Sequence, residues 1–206
     1  MNNRDKILQI SKKLGLSHVS SCLSVLPILE EIYSRKKPED IVLMDNGHAS
    51  LAHYIVLEKY ITRNFDGNII PIDAEELFHK YGVHSNRDVE NGLYASNGSL
   101  GHNLGISIGF AVANPDKTIY VIVSDGSMME GSNAEALRIA KTLEIKNLEI
   151  HANLNGYTAT SVVDLDYVEG FIRGFGFPVI SHRTNNGLEV LQGVKGHYFV
   201  LKEDQN

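Results

Sequence analysis

The chain has 206 residues, 43% of them hydrophobic and 21% charged, with a formal net charge of −6. That is ordinary for a globular chain of about one domain, and the acidic balance leaves no electrostatic footprint for nucleic acid or an anionic membrane. No apolar run approaches the roughly 20 residues that span a bilayer, and the opening MNNRDKILQI lacks the apolar stretch of a secretory signal. The one cysteine, Cys22, cannot make an internal disulfide and fits a reducing compartment, so a cytoplasmic location is expected.

In chain order, apolar residues recur at helical spacing around 4–14, 22–35, 48–62, 74–80, 101–113, 132–144, 164–175 and 186–193. Short β-forming runs lie at 118–123, 148–152, 178–181 and 198–201. The alternation over the second half predicts a parallel sheet with helices on both faces, joined by right-handed crossovers. No repeat or Pro/Gly/Ser-rich linker interrupts it, so residues 1–206 read as one α/β domain with a helical N-terminal third.

The most informative stretch runs from Ser124 to Asn155. Asp125-Gly126 closes one apolar run, a helix follows, and a second run ends at Asn153-Leu-Asn155-Gly156. Ser132-x-x-Glu135 has the form of a capping box and predicts the start of that helix. In neighbouring parallel strands Asp125 and Asn155 fall at the same C-terminal edge, where open α/β sheets bind ligands. A carboxylate and an amide oxygen beside a helix N-terminus suit a hard divalent cation holding a diphosphate, and Gly126 would let backbone amides approach an anion. Asp-Gly or Asn-Gly alone is more often a plain turn; the joint arrangement is the specific signal.

This stretch resembles the thiamine diphosphate signature of the transketolase family, which reads Gly-Asp-Gly, about thirty residues, then Asn; here Ser124 stands in place of the first Gly. Further segments match in the same order over about 15–160. Segment 16–21 (LSHVSS) is similar to Ser-Gly-His-x-Gly, and 45–51 (DNGHASL) to Ser-x-Gly-His-Ala. Segment 96–105 (SNGSLGHNLG) is similar to the Thr-Gly-Pro-Leu-Gly-Gln-Gly loop, and His84 falls where the family has Pro-Gly-His.

The resemblance implies a thiamine-diphosphate-binding fold of the diphosphate type. It gives Asp125, Asn155 and the Tyr157 carbonyl to a metal, Mg²⁺ or equally Ca²⁺ or Mn²⁺. It gives His48, Ser124 and Gly126 to the diphosphate, and Gly98 and Leu100 to the aminopyrimidine. Glu130 would lie in the Asp-Gly-x-x-x-Glu-Gly run near a subunit interface. His18, His48, His84 and His102 become the catalytic histidines, as imidazoles can donate to phosphate oxygens, sugar hydroxyls or a developing alkoxide. His53, His79, His151, His182 and His197 have no motif support and read as surface or core residues.

The family's pyrimidine-binding domain, which carries a catalytic glutamate, has no counterpart in these 206 residues. The resemblance therefore implies one half of a split transketolase-like enzyme, completed by a C-terminal subunit in a heterotetramer and acting on small sugars. The implied reaction moves a two-carbon ketol unit from a ketose to an aldehyde or ketone acceptor. Two alternatives stay open: a component of another thiamine-dependent 2-oxo acid decarboxylase or carboligase, and a non-catalytic homologue. The missing P-loop and dinucleotide fingerprints speak against a general nucleotide-binding protein.

Overall fold

The computed structural model describes residues 1–64, 73–158, 161–176 and 179–183. Four parallel strands, β1 (Ile41–Met44), β2 (Ile119–Ser124), β3 (Leu148–Leu154) and β4 (Val179–Arg183), lie in the order β1-β2-β3-β4. The register sets Ile41 beside Ile119, Ile119 beside Leu148, and Ile150 beside Val179. The C-terminal ends of all four strands therefore share one edge.

β2 is buried at every position because helices cover both faces, and its side chains divide by alternation. Tyr120 and Ile122 join Val42 and Met44 under α1 (Asn3–Leu14), α2 (Val19–Arg35), α3 (Ser50–Asn64) and α4 (Ala74–Tyr81). Ile119, Val121 and Val123 join Ile41, Leu43 and Ile150 under α5 (Asn103–Ala113), α7 (Gly131–Thr142) and α8 (Leu165–Gly174). Ile7, Leu29, Ile32 and Leu137 have no exposed surface, and each such side chain contributes about 1.5–3 kcal/mol by leaving water.

The strands expected at 118–123 and 148–152 are present. Of the expected strand at 178–181, the described residues lie in β4, while the helix at 186–193 and the strand at 198–201 fall outside the described residues. Two expectations are corrected. The N-terminal third is not wholly helical: β1 sits between α2 and α3, and its IVLM sequence shows no alternation because all four residues are buried. Nor does Ser132 cap its helix. α7 begins at Gly131 with Glu130 as its N-cap, so Ser132 already lies in the first turn. The reciprocal capping box forms instead at Ser124 and Ser127, around the four-residue α6 (Asp125–Met128).

Candidate cofactor and metal site

The ends of β1, β2 and β3 deliver Asp45, Asp125 and Asn155 to one edge of the sheet. Ser124 has φ −120° and ψ 165°, extended backbone that any residue adopts, so the loop does not need the glycine that the motif would put there. Its Oγ accepts the Ser127 N–H at 3.2 Å, and Ser127 Oγ accepts the Ser124 N–H at 2.8 Å. The residue that departs from the signature thus caps the turn that presents Asp125.

Asp125 is 1% exposed. Its Oδ2 accepts three consecutive backbone N–H groups, from Asn155 at 3.0 Å, Gly156 at 2.7 Å and Tyr157 at 3.1 Å. Oδ1 accepts the N–H of Gly126 at 3.0 Å. Burial pushes this carboxyl above its ordinary range, and the four N–H donors only partly oppose that. Asn155 Oδ1 closes a turn onto the Tyr157 N–H at 2.9 Å. Asp125 therefore orders the loop that carries Asn155 and the exposed Tyr157.

Three of the four expected histidines meet at the end of β1. The rings of His18 and His48 stand 5.2 Å apart. Burial, reinforced by His18 and then His84, lowers His48 from 6.5 to about 4, so this imidazole is neutral at pH 7. His84 packs on Gly98, where an added Cβ would lie 3.5 Å from its Cγ. Gly98 has φ +136°, a conformation that L side chains rarely adopt. His18 is itself left-handed, at φ 60°, which costs a non-glycine residue about 1 kcal/mol. It heads α2 without a side-chain cap. Strain of this kind concentrates at functional positions.

The remaining expected residues lie around this group. Leu100 faces Gly126: a Cβ there would meet Leu100 Cδ1 at 3.7 Å. His102 is exposed at the head of α5, and no described contact brings it to the other three histidines. Glu130 is exposed on this chain, at the N-cap of α7. Of the histidines without motif support, His53, His151 and His182 are buried, His79 is exposed, and His197 lies outside the described residues.

Asp45 escaped sequence reading. It is fully buried; Oδ1 accepts the Asn103 N–H at 2.7 Å, and Oδ2 accepts the Gly101 N–H at 2.9 Å and Asn133 Nδ2 at 3.0 Å. Asn133 also donates to the Ser127 carbonyl at 2.9 Å, and Asn103 Nδ2 donates to the Met44 carbonyl at 2.7 Å. One carboxylate thereby joins the end of β1, the glycine loop before α5 and the first turn of α7. Asp-Asn-Gly reads as a turn in sequence, and only the fold brings its partners near.

The donor set fits a cation-held diphosphate. Asp125 Oδ1 takes a single hydrogen bond, which leaves this oxygen acceptor capacity for a metal. The side chain of Asn46, 1% exposed, has neither its oxygen nor its nitrogen partnered within the protein. It stands between Asp45 and His48, on the edge where a ligand would satisfy it. A Cβ on Gly126 would meet only ordinary contacts at 3.7–3.8 Å, so internal packing does not demand glycine there.

Residues 21–175 match the family model described as transketolase, thiamine diphosphate binding domain. The chain belongs to this family. Among curated transketolase-type relatives, a 1-deoxy-D-xylulose-5-phosphate synthase from Fusobacterium nucleatum is 31% identical over 183 residues, covering 86% of this chain and 27% of its own length. One of the subunits of the apulose-4-phosphate transketolase from Phocaeicola vulgatus is 26% identical, covering 86% of this chain and 68% of its own length. Another relative, from the 6-deoxy-6-sulfo-D-fructose transketolase of a Clostridium species and likewise named as a subunit, is 27% identical, covering 89% and 72%. The chain thus spans about a quarter of the synthase and about seven-tenths of the two subunits. The transketolase of Leishmania mexicana superposes with a TM-score of 0.71 at 21% identity over 86% of this chain and 30% of its own, a likeness of fold.

Proposed function

We propose that this chain is the diphosphate- and metal-binding subunit of a split transketolase-like enzyme. The enzyme would transfer a two-carbon ketol unit from a ketose donor to an aldehyde or ketone acceptor in specialised sugar metabolism. The carrying observation is that the buried Asp125 carboxylate orders the Asn155–Tyr157 loop on the strand edge that also bears His48. The likeness to two relatives named as transketolase subunits supports the split arrangement.

In this reading Asp125 Oδ1, the Asn155 amide oxygen and the Tyr157 carbonyl hold Mg²⁺ (or Ca²⁺ or Mn²⁺). Gly126, with Ser124 holding its turn, and His48 face the diphosphate. His48 is neutral, so it donates one N–H without adding charge. Gly98 and Leu100 offer backbone groups beside the aminopyrimidine. Bound thiamine diphosphate supplies a nucleophilic carbon that adds to a ketone. His18 and His84, both exposed toward that edge, orient the substrate hydroxyls and hold or move the proton of the reacting oxygen. His102 meets the substrate from the head of α5. Glu130, exposed here, becomes buried against a second chain.

A C-terminal transketolase-like polypeptide with the pyrimidine-binding domain completes the site with its glutamate, in a cytoplasmic heterotetramer of two chains of each kind. Among the described residues no helix is long and apolar enough to cross a membrane. The likeness to a 1-deoxy-D-xylulose-5-phosphate synthase favours, as a second reading, another carboligation on the same site.

Calorimetric titration of thiamine diphosphate with Mg²⁺ tests this, on the chain alone and mixed with a C-terminal transketolase-like subunit. Tight binding in the mixture, lost with Asp125→Ala, is expected. Absence of binding in both samples would sink the enzymatic reading in favour of a non-catalytic homologue. Turnover of a ketose donor by the chain alone would sink the split arrangement.

A further inference from the structure

On the face of the sheet covered by α2, two histidines without a role in the reaction above meet a carboxylate. His151, on β3, is fully buried and His182, on β4, is 2% exposed. His151 Nδ1 and His182 Nε2 stand 2.9 Å apart. Glu31, half-buried on α2, completes the group, and one ligand atom from each of the three residues lies within 4.8 Å of the others.

The surroundings have the character of a metal centre's outer shell. Glu149 Oε1 accepts the other ring nitrogen of His151 at 2.7 Å. That bond fixes the proton on Nε2 and leaves the Nδ1 lone pair aimed at His182, as a carboxylate behind a ligating imidazole does. Burial, reinforced by His151, lowers His182 from 6.5 to about 4, so its ring is uncharged at neutral pH. Arg35 pairs with Glu149 and lies 3.4 Å from Glu31. Two carboxylates against one guanidinium leave the pocket one negative charge in excess, which favours a cation.

We propose that Glu31, His151 and His182 form a zinc(II) site that pins α2 to β3 and β4. Two imidazoles and a carboxylate, with a fourth place open to water, are a common zinc donor set. Two nitrogens on one tetrahedral zinc, each about 2.1 Å from it, stand about 3.4 Å apart. The pair at 2.9 Å need therefore separate only slightly, with the proton that His182 Nε2 shares with His151 moving to His182 Nδ1, while Glu31, half-buried, closes the remaining distance by a rotamer change. The site lies about 13 Å along β3 from Asn155, at the rise of an extended strand, and it does not depend on the reading of that end of the sheet. Imidazole nitrogens select zinc, whereas the oxygen donors of Asp125 and Asn155 suit magnesium.

Cobalt(II) reports the site directly. Metal-free chain is titrated with equimolar Co²⁺ in a millimolar excess of Mg²⁺, and Zn²⁺ is then added as competitor. The expected result is the visible absorption of four-coordinate Co²⁺, displaced by Zn²⁺ and untouched by Mg²⁺. Glu31→Gln and His182→Gln should weaken binding at least about 10-fold, and Glu149→Gln about 10- to 100-fold through the shell behind His151. His48→Gln should leave the spectrum intact, which separates this site from the histidines at the end of β1. Added Zn²⁺ should raise the melting temperature of the unsubstituted chain and not that of Glu31→Gln. No cobalt absorption, or absorption equal in all variants, would overturn the proposal. Should His182→Gln fail to fold, Glu31→Gln decides alone, since its side chain is partly exposed on a helix.

Discussion

Gly47 lies so close to Asn97 that an added Cβ would stand 2.4 Å from the Asn97 Oδ1. The contact presses the turn that carries His48 against the loop that carries Gly98, and Asn97 Nδ2 secures it by donating to Ser50 Oγ at 3.1 Å.

Gly47→Ala should therefore destabilise the chain by about 1–3 kcal/mol, the usual cost of overpacking a rigid contact. Asn97→Gly in the same chain should recover part of that loss. Urea unfolding of the two single variants and the double variant measures the coupling, and strictly additive losses would contradict the contact.

Asp45→Ala should cost more, about 3 kcal/mol, because it strands the buried N–H groups of Gly101 and Asn103 and the amide of Asn133. Asp45→Asn keeps the volume but points an NH₂ at one of these donors, so it should rescue little. Both are read from the midpoint of chemical denaturation; a loss below about 0.5 kcal/mol, the level of a neutral surface change, would deny the carboxylate its role.

Ser124→Ala removes one side of the reciprocal cap on α6 and should cost about 1 kcal/mol. Ser124→Gly should leave thiamine diphosphate affinity within about twofold, since the residue is extended at φ −120°. Calorimetric titration of the cofactor-free two-subunit complex checks the second statement, and a tenfold change would show that the serine itself governs the phosphate loop.

Acid should weaken the fold through His53. Burial, aided by Lys36, lowers its pKa from 6.5 to about 3, and its Nε2 meets the Tyr33 hydroxyl at 2.7 Å. The folded pKa lies below the unfolded one, so the unfolded chain binds more protons in between. The stability from keeping this ring neutral is present above 6.5 and is lost as pH falls toward 3. From pH 6.5, where the unfolded ring is already half-protonated, to pH 5 that loss is about 1.6 kcal/mol, approaching 1.36 kcal/mol per unit at the lower end. In His53→Gln the stability–pH curve should be flatter over the same range, and an unchanged slope would assign the titration elsewhere.

The sequence made some of this legible and hid the rest for physical reasons. β2 announces itself because a strand covered on both faces is a nearly continuous apolar run, and β3 because its apolar residues alternate with Glu149, His151 and Asn153 at the period of a strand. β1 does not, since four residues between two helices carry no periodicity and Leu and Met suit a helix equally well. The Asp125–Asn155 pairing is readable because a fixed crossover length joins adjacent parallel strands. That Asp125 orders its partner's loop by accepting three amides is not, because backbone donors leave no mark in a sequence. Ser132-x-x-Glu135 misled because its pattern sets the cap two residues too far along, inside a helix that Glu130 already caps. His151 and His182 looked like ordinary surface or core histidines, and only the β3–β4 register, which sets His182 beside Asn153, makes them diagonal neighbours on one face.

Asp45 accepts groups 56, 58 and 88 residues further along the chain. During synthesis, β1 and the helices around it leave the ribosome with that carboxylate still bound to water. The last of its donors, Asn133, emerges only after β2 and the turn holding Asp125 have been made. The Asp45 network at the ligand-facing edge can therefore close only once the first turn of α7 has been made. Asn155, at the end of β3, follows α7 in the chain, so the loop that Asp125 orders is closed later still.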